Sequence, residues 1–190
     1  MKNKLSVIAI SVLFAFSACQ KQDDEMSLQE PADVKAAQNE LKSAAANRQA
    51  VLNFRAHLSG DQEVPPVETN ATGQATFQLS RDGESLSYRL IVANIENVRM
   101  AHIHRAPAGA NGPVVAWLYP SGPPPVTIPG RTDGILAEGE ITAGDLVGSL
   151  NGADLSDLID LIASGETYVN VHTTQFGGGE IRGQIFGNIR

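Results

Sequence analysis

The chain has one cysteine among its 190 residues. A lone thiol cannot close an internal disulfide, so an exported domain built from this sequence must be stable without cross-links. Basic residues are in deficit: 14 Lys and Arg face 21 Asp and Glu, for a net charge of −7. Such a chain repels phosphate backbones, which argues against nucleic acid as a partner. Catalytic signatures are missing as well. There is no G-x-S-x-G, no P-loop, no G-x-G-x-x-G after a strand pattern, and no cysteine within the β-rich part of the chain. The expectation is a protein that is not an enzyme, with no catalytic residues to assign. The one long apolar run, Leu5 to Phe16, is about half of the roughly twenty residues that a permanent bilayer-spanning helix needs.

That run reads as part of a secretion signal. Lys2 and Lys4 form its positive start, and Ser17-Ala18 place small residues just before Cys19. Phe16-Ser17-Ala18-Cys19 resembles the bacterial lipobox, in which the cysteine is lipidated and becomes the new N-terminus. Phe16 stands where Leu is usual. The expectation is a signal peptide over 1–18, lipidation at Cys19 and a membrane partner held through that anchor, as in an outer-membrane lipoprotein. The following Gln20-Lys21-Gln22-Asp23-Asp24-Glu25 resembles the signal that carries Bacteroidetes-type lipoproteins to the cell surface, and fits a solvated linker equally well. Residues 19–50 contain no aromatics and read as a lipid-anchored acidic stalk, helical in pattern across Val34 to Ala46, that cannot bury a core.

From Val51 the composition changes to β-branched and aromatic residues in short runs broken by Gly, Pro and Asn. Residues 51–190, about 140 in number, suit a single domain with one core. Period-two alternation marks strands at Val51 to Leu58, Gly73 to Leu79, Leu86 to Ala93, Arg99 to His104, Val114 to Tyr119, Gly134 to Ile141, Thr167 to Thr173 and Glu180 to Phe186. Asp82-Gly83 signals a hairpin between the second and third. Tyr119 to Gly130, with five prolines, reads as a loop held extended. Leu155, Leu158, Ile159 and Ile162 fall at helical spacing between an Asp154 cap and a Gly165 stop. The fold class is therefore all-β: an antiparallel β-sandwich or flattened barrel of about eight strands with one short helix.

His102-Ile103-His104 on a strand sends both imidazoles to one face, with Ala101 and Ile103 on the core side. Tyr168, Asn170 and His172 share a face of the penultimate strand in the same way. If the two strands are neighbours, His102, His104 and His172 converge, and such a set binds copper or zinc. No other cofactor is implied. A polar network of Glu63, Asn170, Glu180 and Arg182 is expected beside them, with Glu180 orienting a histidine or pairing with Arg182. The other reading of these histidines is that they knit loops to a sheet, and of the polar residues that they are the solvated side of a half-buried sheet. His57 reads as a surface residue. The strand histidines resemble those of copper-zinc superoxide dismutases at the level of fold alone, because His57 and the aspartates do not align with the remaining ligands.

Three ordered blocks carry a more specific resemblance: Gly60-Asp-Gln-Glu-Val-Pro-Pro66, Ala101-His-Ile-His-Arg-Ala-Pro-Ala-Gly-Ala-Asn-Gly-Pro-Val-Val115, and Tyr168-Val-Asn-Val-His172 with Gly178-Gly-Glu-Ile-Arg-Gly-Gln184. Together they resemble the CHRD domain, over roughly Leu52 to Asn188. The family takes its name from chordin, a secreted animal antagonist of bone morphogenetic proteins, and also occurs in exported bacterial proteins. Growth-factor antagonism does not transfer, because fold-level likeness does not carry a ligand with it. The resemblance is specific for the family and says much less about activity; with no catalytic motif in the chain, the leading expectation is a non-enzymatic binding or adhesion module with a protein or envelope ligand. The alternative is a copper- or zinc-binding β domain using the clustered histidines, with redox chemistry if the ion is copper.

Overall fold

Alternation sets the first strand. In β1 (Asn53–Ser59), Phe54, Ala56 and Leu58 are buried while Asn53, Arg55 and His57 face solvent, as period-two geometry requires. The computed structural model describes residues 34–40 and 53–187; the expected signal peptide, the expected lipidation site Cys19 and most of the expected stalk lie outside the described residues. Residues 34–40 form a helix, α1, exposed along its length, within the stretch where a helix is expected.

The remaining elements are β2 (Thr72–Leu79), β3 (Leu86–Arg105), β4 (Val114–Tyr119), β5 (Ile128–Ile141), α2 (Leu155–Ala163), β6 (Thr167–Thr173), β7 (Ile181–Gln184) and β8 (Phe186–Gly187). All pairings are antiparallel, in the order β2-β1-β7-β6-β3-β4, and β2 also pairs with β3. That second pairing closes β2, β1, β7, β6 and β3 into a five-stranded barrel, with β5 and β4 added on β3. Closure removes the open edges that would otherwise invite pairing with other chains. The interior is aliphatic, including Leu58, Leu90, Val92, Ile103, Val171 and Ile181. Each such side chain contributes about 1.5–3 kcal/mol by leaving water.

Two strands expected separately, Leu86 to Ala93 and Arg99 to His104, are one 20-residue strand, β3. Its first part pairs with β2 and β5 and its last part with β6 and β4. The strand changes partners through a bend at Asn94 (φ 57°) and Asn97 (φ 53°), in the left-handed region that asparagine tolerates better than most residues. The Asn94 N–H donates to Asp133 Oδ1 at 2.7 Å, and Asn97 Oδ1 accepts from the Gly130 N–H at 2.9 Å. The gap between the two expected strands is thus a corner of the barrel. β5 begins at Ile128, inside the stretch expected as a loop, because its first residues pair with the far side of that corner. The expected last strand splits into β7 and β8 at Ile185, whose N–H turns to Thr167 O at 2.9 Å.

α2 forms as the sequence implies. Asp154 and Asp157 make a reciprocal capping box, and the helix ends with the Glu166 N–H on Leu161 O and the Gly165 N–H on Ile162 O, a Schellman closure with Gly165 at φ 74°. Leu155, Leu158 and Ile162 pack into the core.

Candidate metal centre

β6 is buried at every one of its seven residues. Val169 and Val171 face the barrel interior, so Tyr168, Asn170 and His172 face outward into something other than water. The outer face of the wall β4-β3-β6-β7 is a grid set by register. One row runs Trp117, His102, Asn170, Arg182; the next runs His104, Tyr168, Gln184. Three connecting segments roof this grid: 60–66 through Glu63, 106–113 through Asn111 and Gly112, and the β6–β7 turn through Gly177. The alternative of a solvated sheet face is therefore overturned: His102, Asn170 and Arg182 are each no more than 2% exposed.

The strands β3 and β6 are neighbours, and His102, His104 and His172 meet, their ligand nitrogens all within 4.8 Å of one another. His104 Nδ1 lies 2.9 Å from Gly112 O and His172 Nδ1 lies 3.0 Å from Gly177 O. A carbonyl only accepts, so both Nδ1 atoms carry the proton and both Nε2 atoms are left with lone pairs. Carbonyls that fix a tautomer in this way are the usual outer support of a metal-binding imidazole. His102 Nδ1 is 3.2 Å from His172 Nε2. That separation serves a hydrogen bond in which His102 donates, which leaves the lone pair of His102 on Nε2.

Charge state agrees with geometry. Burial pushes His102 down to about 3, with His172 and His104 adding to the effect. Burial likewise lowers His172 to about 4, against the opposing pull of Gly177 O. His104 is also lowered by burial, again opposed by its hydrogen bond to Gly112 O. All three are neutral at physiological pH, which is the form that binds metal. Nε2 of His102 and Nε2 of His104 are buried with no hydrogen-bond partner. An unpaired buried polar atom costs about 1–3 kcal/mol.

The supporting residues divide. Tyr168 stacks on His104 with centroids 4.9 Å apart and rings 10° from parallel, and the Arg182 guanidinium sits 3.4 Å from the centre of the Tyr168 ring. Arg182 also donates to Pro107 O at 3.1 Å and Asn111 Oδ1 at 3.3 Å, so it locks the 106–113 segment over the site. Glu63 joins from its loop by accepting from Asn170 Nδ2 at 2.7 Å. Gly179, at φ 132°, leaves the room for that bond, since a Cβ there would overlap the Asn170 amide. Glu180 does neither of the things expected of it. Its carboxylate accepts from the Thr69 and Thr173 hydroxyls at 2.7 and 2.8 Å, because Glu180 precedes β7 and stands at the end of the wall away from Arg182. His57 is a surface residue opposite Gln74.

Trp117, which no sequence pattern singles out, meets His102 edge to face at 4.2 Å. Its register opposite His102 across β3 and β4 places it there. Gly112 and Gly177 act through their backbone carbonyls, which no sequence pattern singles out, since the carbonyl of any residue type can accept from an imidazole.

Glu63 offers a direct test of the roof. Burial raises its carboxyl to about 7, opposed by the Arg182 charge and by the hydrogen bonds from Val64 and Asn170. The folded value lies above the ordinary one, so the folded state holds the extra proton. The stability this supplies is full below pH 4.5 and is lost as pH rises through about 7. Glu63→Gln keeps the size and an acceptor for Asn170 but cannot ionise. In denaturant melts the variant should match the parent at pH 5 and exceed it by more than about 1 kcal/mol at pH 8. The buried histidines titrate the other way, losing stability as pH falls below 6.5, but they are common to both proteins. Parallel pH curves for the two would refute the assignment.

Fold and site together define a small all-β domain that carries a buried histidine cluster on the outer wall of its barrel. Residues 54–185 match the family model of the CHRD domain, and the chain belongs to that family. The matched span contains every residue of the cluster. Comparisons with curated proteins and with solved structures give no match.

Proposed function

We propose that this protein is a binding module of the bacterial envelope, tethered through a lipid on Cys19, and that its CHRD domain binds a transition-metal ion, copper or zinc, through His102, His104 and His172. One observation carries the metal reading: Nε2 of His102 and Nε2 of His104 are buried without partners, in a cluster where His104 and His172 commit their Nδ1 protons to backbone carbonyls and His102 turns its own to His172. The large majority of buried side-chain polar atoms have a hydrogen-bond partner, so two orphaned imidazole nitrogens in one cluster call for a reason. An ion at the centre gives the orphaned atoms their partner and explains why three neutral imidazoles are held together at a cost.

The tether reading rests on the N-terminal pattern. No helix among the described residues is long and apolar enough to cross a membrane. The protein's role is then to hold metal at the envelope, with the acidic stalk as spacer, and no catalytic step is assigned to it. A cleft of about 360 Å³ lined by Gln62, Glu63, Pro66, Ala108 and Arg182 lies beside the roof. It favours a second reading, in which an envelope or protein ligand docks over the metal centre.

One preparation tests both parts. The full chain is produced in a bacterium fed labelled palmitate, purified without chelator, and assayed for label and for metal. The expected result is label that disappears in Cys19→Ser and about one copper or zinc per chain that persists in it. A parent protein free of metal that also takes up neither ion on addition refutes the metal reading. Label that survives Cys19→Ser refutes the tether.

A further inference from the structure

Met100 stands two residues before His102, and the sequence Met100-x-His102-x-His104 on β3 sends all three side chains to the roofed face. Its register partner on β6 is His172, and the pairing runs on through Ala101↔Val171 and His102↔Asn170 without a shift. Residues directly opposite on one face of an antiparallel pair have Cβ atoms about 5 Å apart. Methionine's unbranched chain lets the thioether sample most of the space between them. The register depends on an irregularity between Val98 and Met100 that takes up Arg99 as an extra residue; such bulges re-aim side chains next to functional sites. Without it, Met100 would not stand opposite His172.

The charge around the cluster is the second observation. Among the described residues, the set of metal-ligating groups found together comprises three histidines and no carboxylate or thiolate. Neutral ligands supply no charge of their own to offset that of the ion, and the cost of burying charge rises steeply with its magnitude. The positive field of Arg182 acts on His104 and that of Arg99 on His172, which adds to the penalty for a dication. A monovalent ion bears this penalty best, and soft thioether ligands select monovalent copper.

Resting on the metal-binding reading above, we propose that Met100 is a fourth ligand of the centre, and that the resulting three-imidazole, one-thioether set makes it a site for monovalent copper in preference to zinc. Met100→Leu is the variant to compare, because it keeps the volume and removes the sulfur. Both proteins are made as full chains in a Cys19→Ser background, so that no thiolate competes. Copper(I) is titrated anaerobically against a chromophoric chelator, zinc(II) is titrated separately, and copper-edge X-ray absorption reports the ligand atoms. The expected result is at least a tenfold loss of copper(I) affinity in Met100→Leu, zinc(II) affinity changed less than about threefold, and a sulfur scatterer in the parent that is absent from the variant. Equal copper(I) affinity in the two proteins, or a parent spectrum with nitrogen scatterers alone, overturns the role of Met100 while leaving the histidine centre intact. Failure of the parent to bind any of these ions overturns the histidine centre itself, and this proposal with it.

Discussion

Gly112→Ala should destabilise the domain by about 3 kcal/mol or more and weaken metal binding with it. A Cβ at position 112 would fall on the backbone carbonyl of Arg105 and crowd the Ala106 side chain. A backbone atom cannot move aside as a flexible side chain can, so either the 106–113 segment lifts or β3 shifts. Lifting removes the Gly112 carbonyl from His104 Nδ1 and the Gly112 N–H from the Tyr168 hydroxyl, contacts of 2.9 and 3.3 Å. It also withdraws Pro107 and Asn111 from Arg182. Gly109→Ala in the same segment is the control. There φ is 78° and the added methyl meets nothing, so only backbone strain of about 1 kcal/mol is expected. Denaturant melts of the two variants against the parent decide the matter. A cost for Gly112→Ala no larger than that for Gly109→Ala would mean that the segment is not seated on β3 as described.

The strands, the helix and the convergence of three histidines were readable because each rests on local periodicity. Period two assigned Val114 to Tyr119 and Thr167 to Thr173 with the bounds the structure has, and it put His102, His104 and His172 on one face. The corner in β3 was not readable. Asn94-Ile95-Glu96-Asn97 interrupts the alternation, and only the closure of the barrel makes two left-handed asparagines a better solution than a strand break. The roof was not readable either. Whether a polar sheet face meets water depends on where connecting segments return, and that is fixed by Arg182 reaching Pro107, 75 residues away. Glu180 was misplaced for the same kind of reason. Alternation gives its face of the strand but not its position along the wall, and at the end of β7 its nearest donors are two threonine hydroxyls.

His102→Phe separates the cost of the centre from its use. In the metal-free protein the change removes one hydrogen bond, from His102 Nδ1 to His172 Nε2, and leaves that acceptor unpaired. It also removes His102 Nε2, which is already buried without a partner. One orphaned nitrogen replaces another, and an aromatic ring still meets Trp117 edge to face. The metal-free variant should therefore lie within about 1 kcal/mol of the parent. The response to metal should differ widely. A ligand that binds only the folded state stabilises it by about 4 kcal/mol when present at about a thousand times its dissociation constant. For a domain of this size that raises the melting temperature by roughly 10 °C. The parent should show this rise with copper(I), and His102→Phe should show almost none, because two imidazoles cannot enclose the ion as three do. A variant that keeps the full rise would remove His102 from the ligand set. A variant that is much less stable without metal would show that His102 holds the fold through contacts other than its two nitrogens.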